Sequence, residues 1–298
     1  MNHESQWHFI TAGFGTMNYR ARARQLAREI MSLNFFASAT PFTEKNFREL
    51  LPEFHLKYRG ILKPWIHGFG YYIWKPALIQ QCLRELPRGS FLVYLDAGFV
   101  IDTTADFQQA FLNIKNHVIK HGVTVFTSSQ FLEHEFCSRD LLDFLRVPME
   151  DRHSYQNLGG AVFIQNNTKG NALMEEWVKL TQFENCRFLV PSWFEFPNHP
   201  NFVHHAHDQA VLSCLIKTRL TRSATFFESS LPERSGNDST ESHTTAPFIA
   251  ARYRYATPIS SKSFSSLCFW KTVATFSKIR LAICRRLFKR SVRILLDR

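Results

Sequence analysis

An aspartate at the end of a short apolar run is the first candidate for chemistry in this chain of 298 residues. Asp96 follows residues 91–95 (FLVYL), which predict a strand covered on both faces. A carboxylate at the carboxyl end of such a strand lies where open α/β sheets bind ligands. Gly98 would let a phosphate or a sugar approach the backbone closely. The alternative interpretation is that Asp96 only caps the following turn.

A second candidate is the polar segment 204–209 (HHAHDQ), which precedes a helical pattern. Its histidines and Asp208 could suggest a metal-dependent hydrolase, but the sequence has no second His/Asp set with matching ligand spacing. The histidines alone are therefore a weak metal signal.

Basic side chains near the first predicted strand, residues 8–12, are candidates for binding an anion. A helix over 19–33 follows that strand and carries four arginines, Arg20, Arg22, Arg24 and Arg28. Arginine can hold a diphosphate bidentately, although a solvated helix face explains at least two of the four. Gly13 and Gly15 lack the third glycine of a dinucleotide fingerprint, so that interpretation is weak.

The positive charge is unevenly distributed along the chain. The formal net charge is +11, and residues 251–298 alone contain twelve Lys/Arg and one acidic residue. The first 250 residues are formally neutral, and no nucleic-acid-binding motif occurs, so we expect no nucleic-acid partner. The basic segment mixes its charges with apolar residues, which favours a helix lying on an anionic membrane surface. The alternative is a terminal helix that packs on the folded domain.

The order of elements predicts the architecture. Strand-like and helix-like segments alternate, which indicates an α/β fold with a mostly parallel sheet and helices on both faces. We expect a catalytic domain over 1–225, a flexible polar linker over 226–250 and a basic amphipathic helical tail over 251–298. The six scattered cysteines, with Cys82 and Cys214 on apolar helix faces, indicate buried free thiols. Without a signal peptide or a spanning segment, the chain is expected in the cytoplasm, peripherally on the inner face of the membrane.

Four sequence blocks resemble those of a known enzyme class. They are GFGYYIWKP (68–76), YLDAG (94–98), QNLGGAVF (156–163) and HHAHDQ (204–209). Their order and spacing resemble nucleotide-sugar-dependent glycosyltransferases of the GT-A fold, which is Rossmann-like. The strongest likeness is to bacterial polysaccharide-synthesis proteins that carry GYGYWIWKP followed by YLDAG. The resemblance covers residues 7–220.

The resemblance implies that a sugar moves from a nucleoside diphosphate to a polysaccharide or lipid-linked glycan, usually with Mn²⁺ or Mg²⁺ bridging the phosphates. The wider class holds the metal with an Asp-x-Asp motif, and here the second carboxylate is replaced by Gly98. Asp96 is then expected to bind the metal with help from His207 or Asp102. Alternatively, Asp96 contacts the ribose and the metal binds weakly.

The resemblance also implies roles for individual residues. Asn157 and Gly159 match an Asn-x-Gly that lines the sugar and acceptor site, and Asp208 and Gln209 match an Asp-Gln pair there. Asp208 would act as a general base if the reaction inverts, or as a positioning and charge-stabilising group if it retains configuration. The residues assigned to donor binding are Thr11, Ala12, Tyr19, Arg24, Lys75, Asp96, Gly98 and Gly159.

A second hypothesis belongs to a different functional class. Because the Asp-x-Asp motif is incomplete, the chain could be a catalytically inactive GT-A module that binds a saccharide or a partner enzyme. Such a module would bind its ligand without turnover of any donor.

Overall fold

The computed structural model describes residues 6–101, 107–190 and 195–220, and two short strands at 225–226 and 248–249. The strands are β1 (Trp7–Ala12), β2 (Ser38–Phe42), β3 (Phe91–Leu95), β4 (Val100–Ile101), β5 (Val123–Leu132), β6 (Tyr155–Gln165), β7 (Thr225–Phe226) and β8 (Phe248–Ile249). The helices are α1 (Met17–Ser32), α2 (Glu44–Leu50), α3 (Pro52–Tyr58), α4 (Gly68–Tyr71), α5 (Trp74–Glu85), α6 (Phe107–His121), α7 (Glu133–Phe136), α8 (Arg139–Phe144), α9 (Met149–Arg152), α10 (Thr168–Gln182) and α11 (His207–Arg219). A single 3-10 turn (Phe183–Asn185) follows α10. Apart from the two short strands, the predicted linker over 226–250 lies outside the described residues, and so does the predicted tail over 251–298.

The central sheet has six strands in the order β2-β1-β3-β6-β5-β7. Strand β1 is parallel to β2 and β3, and β5 is parallel to β7. Strand β6 runs antiparallel to both β3 and β5. The two-residue strands β4 and β8 pair with each other separately. The predicted α/β class is confirmed, with parallel pairing among the first strands and one reversed strand that makes the sheet mixed.

Successive side chains of the central strands pack on opposite faces of the sheet. Val93 and Phe163 belong to one core cluster with α1 and α6, whereas Tyr94 and Ile164 belong to the other with α5, α10 and α11. Every side chain of β3 is buried. Helices therefore cover both faces of the sheet, as predicted. Asp96 directly follows the buried strand β3 and lies at its carboxyl end.

A tight turn precedes α5 and sets the direction of that helix. Phe69 and Tyr72 have positive φ angles of 54° and 61°, and Gly70 has φ 97°. A Cβ at Gly68 would lie 2.3 Å from the Tyr72 ring, so a glycine is required there. The Trp74 indole donates to the Gly68 carbonyl at 2.9 Å. These contacts explain why the glycine- and aromatic-rich block precedes the helix. The aromatic side chains of this block pack in the hydrophobic core or against it.

A buried arginine supports the turn that follows β3. Arg22 lies on α1 with 2% of its side chain exposed and donates to the Phe99 carbonyl at 2.5 Å. Its guanidinium also lies 3.1 Å from Glu29. Arg22 therefore ties α1 to residues 96–99.

We expect Arg22→Met to lower the free energy of unfolding by about 2 kcal/mol, because the Phe99 carbonyl loses a charged donor inside the core. Arg24→Met is the matched control, since Arg24 is exposed on the same helix and should change stability by less than about 0.5 kcal/mol. Urea unfolding of the three proteins measures the difference. Equal midpoints for the two variants would contradict this role for Arg22.

Two other sequence predictions concern the cysteines and the membrane. Cys82, Cys137, Cys186 and Cys214 are buried free thiols, which confirms the expectation for Cys82 and Cys214. Among the described helices, none combines the length and the apolar character needed to cross a bilayer.

Candidate active site

A buried lysine lies at the centre of the candidate site. Lys75, in the first turn of α5, has 3% of its side chain exposed. Its Nζ lies 2.8 Å from Asp208 Oδ2 and 3.2 Å from Asp96 Oδ1, and it donates to the Gly159 carbonyl at 3.3 Å. Three residues that are distant in the sequence therefore meet around the ammonium group of Lys75.

Asp96 uses one carboxylate oxygen for hydrogen bonding to the described residues and not the other. Its Oδ1 accepts from the Tyr94 hydroxyl at 2.5 Å and faces Lys75. Its backbone N–H donates to the Gly160 carbonyl at 2.8 Å, which fixes the end of β3 against β6. The side chain is 40% exposed, and Oδ2 makes no hydrogen bond to the described residues. Asp96 can therefore offer Oδ2 to a ligand while Oδ1 holds its position.

Asp208 is the buried carboxylate of the site. It lies in the first turn of α11 with 4% of its side chain exposed, and its backbone carbonyl accepts from the Trp177 indole at 3.2 Å. Burial raises the pKa of Asp208 to about 6, although the Lys75 ammonium opposes that shift. The negative charge of Asp96 adds to the increase. Asp208 is therefore ionised at neutral pH and remains a stronger base than an ordinary aspartate.

Lys75 stays charged in spite of its burial. Removal from water lowers the pKa of its ammonium group, but the carboxylates of Asp208 and Asp96 outweigh this, and the net direction is upward. The ammonium also lies 5.0 Å from the centre of the Tyr72 ring and 5.4 Å from that of Tyr94, distances at which a ring face attracts a cation. With both carboxylates ionised, the cluster has a net charge of minus one.

A chain of amide hydrogen bonds holds β6 and α11 in register beside this cluster. The Gly159 N–H donates to Gln209 Oε1 at 3.2 Å, and Gln209 Nε2 donates to Gln156 Oε1 at 2.9 Å. Gln156 in turn donates to Glu133 at 2.8 Å, and Lys217 neutralises Glu133 at 2.6 Å. Gln209 therefore orients the backbone whose carbonyl faces Lys75.

Asn157 carries an unused donor in a buried position. Its backbone N–H donates to Ser213 at 2.9 Å, and its Oδ1 accepts from Thr127 at 3.4 Å. Its Nδ2 is buried and makes no hydrogen bond to the described residues. Because a buried polar group without a partner is costly, Asn157 Nδ2 indicates a place where a ligand oxygen would bind.

Glycines in the middle of β6 allow the close approach of Asp96 and of the first turn of α11. A Cβ at Gly160 would lie 2.8 Å from Asp96 Oδ2, and one at Gly159 would lie 3.0 Å from the Gln209 backbone. Strand β6 runs from Tyr155 to Gln165, so both glycines lie within the strand.

We expect Gly160→Ala to reduce activity by about 10-fold to 100-fold while leaving the midpoint of thermal unfolding nearly unchanged. The added methyl group would displace the half-exposed Asp96 carboxylate, and small displacements of a reacting group have costs of this order. Steady-state kinetics together with thermal unfolding measure both effects. Full activity in a folded variant would contradict the placement of Asp96 in the site.

The histidines of the polar segment differ in their roles. His205 uses both ring nitrogens, since Nε2 donates to the Phe188 carbonyl at 2.7 Å and Nδ1 accepts from the Ser138 N–H at 3.1 Å. His207 donates through Nδ1 to the Leu189 carbonyl at 2.8 Å, and burial lowers its pKa to about 4. His205 is therefore structural, whereas His207 is neutral and its Nε2 makes no hydrogen bond to the described residues.

Five other residues were predicted to bind the donor. Four of them lie on β1 and α1, and the fifth lies in the turn after Asp96. Thr11 and Ala12 are buried at the end of β1, and Thr11 Oγ1 makes no hydrogen bond to the described residues. Tyr19 and Arg24 are exposed on α1, and Gly98 is half-buried in the turn after Asp96. No contact among the described residues joins these five to Lys75, so their roles stay predictions.

Several supporting residues were missed from the sequence. Tyr94 lies two positions before Asp96, and side chains two apart in a strand share a face, so its contact could have been anticipated. Gln156 and Glu133 gave no such signal, because their pairing depends on how α7, β6 and α11 come together.

A divalent metal fits the described residues poorly. Asp96 Oδ1 already faces the Tyr94 hydroxyl and the Lys75 ammonium, so an ion would bind Oδ2, within about 8 Å of that ammonium. The repulsion is at least about 4 kcal/mol at an effective dielectric constant of about 20. The ammonium thus cancels the attraction of one carboxylate, and Gly98 supplies no second one.

The described residues contain a set of possible metal ligands, but it lies away from the predicted ones. Among the described residues, the group of three or more possible ligands with atoms within 4.8 Å of one another is Glu133, Cys137 and Cys214. It does not include Asp96 or His207, the predicted metal ligands, and Lys217 already neutralises its carboxylate. Asp102 lies outside the described residues. No step proposed below uses a metal.

Comparison with solved structures gives distant likenesses. The chain is similar to mouse xyloside xylosyltransferase 1 in its apo form, with 11% identity, a TM-score of 0.37, and coverage of 76% of this chain and 86% of that one. It is also similar to the galactosyltransferase LgtC, solved with donor and acceptor sugar analogues, with 12% identity, a TM-score of 0.39 and coverage of 76% and 74%. A third is a glycosyltransferase involved in glycosylation of the major capsid of PBCV-1, with 14% identity, a TM-score of 0.33 and coverage of 67% and 81%. Likeness at this level does not bear on function.

Comparisons by sequence gave no match. No family model matches the chain, and no curated protein matches it. We therefore base the functional proposal on the site and on the sequence blocks that form it.

Proposed function

We propose that this protein is a glycosyltransferase that moves a sugar from a nucleoside-diphosphate sugar to a glycan acceptor. The observation that carries the proposal is the meeting of four sequence blocks around one ammonium group. Lys75 comes from GFGYYIWKP, Asp96 from YLDAG, Gly159 from QNLGG and Asp208 from HDQ. The blocks that resemble GT-A transferases in order and spacing are therefore also neighbours in space, which supports the resemblance independently.

The charges of the cluster suit a departing diphosphate. When the bond between the sugar and the diphosphate breaks, negative charge develops on the leaving oxygen, and a fixed nearby cation stabilises it. Lys75 provides that cation. Asp96 Oδ2, which is free of hydrogen bonds to the described residues, would accept from a ribose hydroxyl. With these assignments, the nucleotide end of the donor would bind at the carboxyl end of β3, in the middle of the sheet.

Asp208 is the group we assign to the reacting centre. A carboxylate with a pKa near 6 is ionised at neutral pH and can still take up a proton from an acceptor hydroxyl. It would serve as the general base if the reaction inverts configuration, or stabilise positive charge on the sugar if it retains configuration. Asn157 Nδ2, buried without a partner among the described residues, would donate to a sugar hydroxyl.

We assign the acceptor to a cleft beside α11. The cleft has a volume of about 440 Å³, and the three histidines of the segment, His204, His205 and His207, are among the residues that line it. The rings of Tyr71 and His207 lie 5.2 Å apart at this end of the helix, and such ring surfaces pack against sugars. A polysaccharide or lipid-linked glycan fits this description. The proposed attachment to an anionic membrane depends on the tail, which lies outside the described residues.

Thermal unfolding in the presence of UDP-, GDP-, dTDP- and CMP-sugars tests the proposal. A donor present at about 100 times its dissociation constant adds about 2.7 kcal/mol of stability, which is readily measured. We expect a shift with one of the three diphosphate classes and none with CMP-sugars, which carry a single phosphate, and no shift for the binding nucleotide in Asp96→Asn. The absence of a shift with every donor would contradict the proposal.

A further inference from the structure

We propose that the Lys75 ammonium takes the charge-neutralising role of a divalent cation, so that the donor binds and reacts without metal. The inference rests on the proposed function and concerns the same site. It starts from the position of Nζ, 2.8 Å from Asp208 Oδ2 and 3.2 Å from Asp96 Oδ1. This is the position between two carboxylates that a bound cation would occupy.

The surroundings of Lys75 keep its charge fixed. The side chain is 3% exposed, and the rings of Tyr72 and Tyr94 face the ammonium from 5.0 and 5.4 Å. The Gly159 carbonyl accepts from it at 3.3 Å. A lysine at a solvent-exposed site would exchange its partners with water, whereas this one is held by two carboxylates, a carbonyl and two ring faces, all of which favour a cation.

Lys75 lowers the negative charge that a metal-free donor meets in the site. Two carboxylates alone would repel a diphosphate, and the usual remedy is a divalent ion between them. Lys75 reduces the charge of Asp96 and Asp208 together from minus two to minus one without an exchangeable ion. Gly98 stands where the wider class has a second motif carboxylate, so the site also carries one negative charge fewer that a metal would have to balance.

The transfer step balances without a metal. The bond from the anomeric carbon to the diphosphate oxygen breaks, and its electron pair leaves with the nucleoside diphosphate. The acceptor hydroxyl oxygen forms the new bond to the anomeric carbon, and its proton goes to Asp208 in an inverting reaction or to the departing diphosphate in a retaining one. One negative charge develops on the departing diphosphate as the bond breaks, and the nearby Lys75 ammonium stabilises it; in the retaining case the acceptor proton then neutralises that charge.

Calorimetric titration with UDP, GDP and dTDP, each in EDTA and again in Mn²⁺, tests this role. For the probe that binds, we expect the dissociation constant of the wild type to differ by less than about 3-fold between the two conditions. In Lys75→Met, affinity in EDTA should fall by about 30-fold or more, and Mn²⁺ should restore about 10-fold. A lysine with only a structural role would not convert metal-independent binding into metal-dependent binding.

The outcomes separate this inference from the proposed function. If the wild type binds a probe about 10-fold or more tightly in Mn²⁺ than in EDTA, the role of Lys75 is wrong and the transferase proposal stands. If no probe binds in either condition, the proposed function is wrong, and the inference with it. Lys75→Arg keeps the charge and should keep metal-independent binding, so it provides the test if Lys75→Met does not fold.

Discussion

Lys75→Met is expected to reduce sugar transfer, measured without added metal, by about 10²-fold to 10³-fold and to lower the free energy of unfolding at neutral pH by about 3 kcal/mol. Removing one partner of a buried ion pair leaves an uncompensated charge in the core, and losses of this size are typical. Here the loss involves two carboxylates, because Lys75 faces both Asp208 and Asp96. The catalytic loss follows from the missing cation beside the departing diphosphate.

The pH dependence of this variant distinguishes charge from packing. Without the ammonium, the folded-state pKa of Asp208 lies still further above its unfolded value, so protonation favours the folded variant. Its stability deficit relative to the wild type should therefore shrink as the pH falls from about 7 towards 4. Lys45→Met, at a position 80% exposed, is the control and should lose less than about 0.5 kcal/mol. A deficit that does not change with pH would indicate that only packing was lost.

The pH–rate profile should depend on Asp208. Because burial raises the pKa of this carboxyl to about 6, kcat/KM of the wild type is expected to fall about 10-fold per pH unit below pH 6. Asp208→Asn should lose about 10³-fold in rate and lose this acid limb as well. Kinetics with the donor found in the stability panel measure both effects. A wild-type rate that stays constant from pH 7 down to pH 5 would contradict the assignment.

The same carboxyl links stability to pH in the opposite direction. Its folded-state pKa of about 6 exceeds the ordinary value of 3.8, so the folded protein retains a proton that the unfolded chain releases. The stabilisation from this proton is complete below about pH 4 and is lost as the pH rises through 6, an effect of about 3 kcal/mol. Asp208→Asn should not show this loss. The site thus exchanges stability for an ionised base at neutral pH.

The sequence was enough to place Asp96 and Asp208 next to their secondary-structure elements. It was not enough to show the contacts between those elements. The apolar run of β3 placed Asp96 at a strand end, and the helical pattern after HDQ placed Asp208 just before a helix, whereas α11 begins at His207 and includes Asp208 in its first turn. The ion pair between Lys75 and Asp208 needs long-range packing of α5 and α11 on the same face of the sheet. Local patterns cannot show such a contact, since it is formed only when the layers assemble.

The arginines of α1 show how the phase of a helix separates a buried arginine from an exposed one. Arg24 remains a predicted ligand of the diphosphate, and Arg22 contacts the turn after β3. Arg22, Leu26 and Ile30 are spaced by four residues and share the buried face of α1. Arg24 lies on the exposed side. The apolar stripe was therefore a usable signal for which arginine enters the core.

Release of nucleoside diphosphate from a donor panel tests the central claim most directly. The purified wild type is expected to release it from one nucleotide class, faster when a glycan acceptor is present. Asp96→Asn and Asp208→Asn should each lose about 10²-fold or more, whereas Asp143→Asn, on a carboxylate 41% exposed, should stay within about 2-fold of the wild type. Equal release by the wild type and both site variants, or no release from any donor, would contradict the proposal that Lys75, Asp96 and Asp208 form a glycosyl-transfer site.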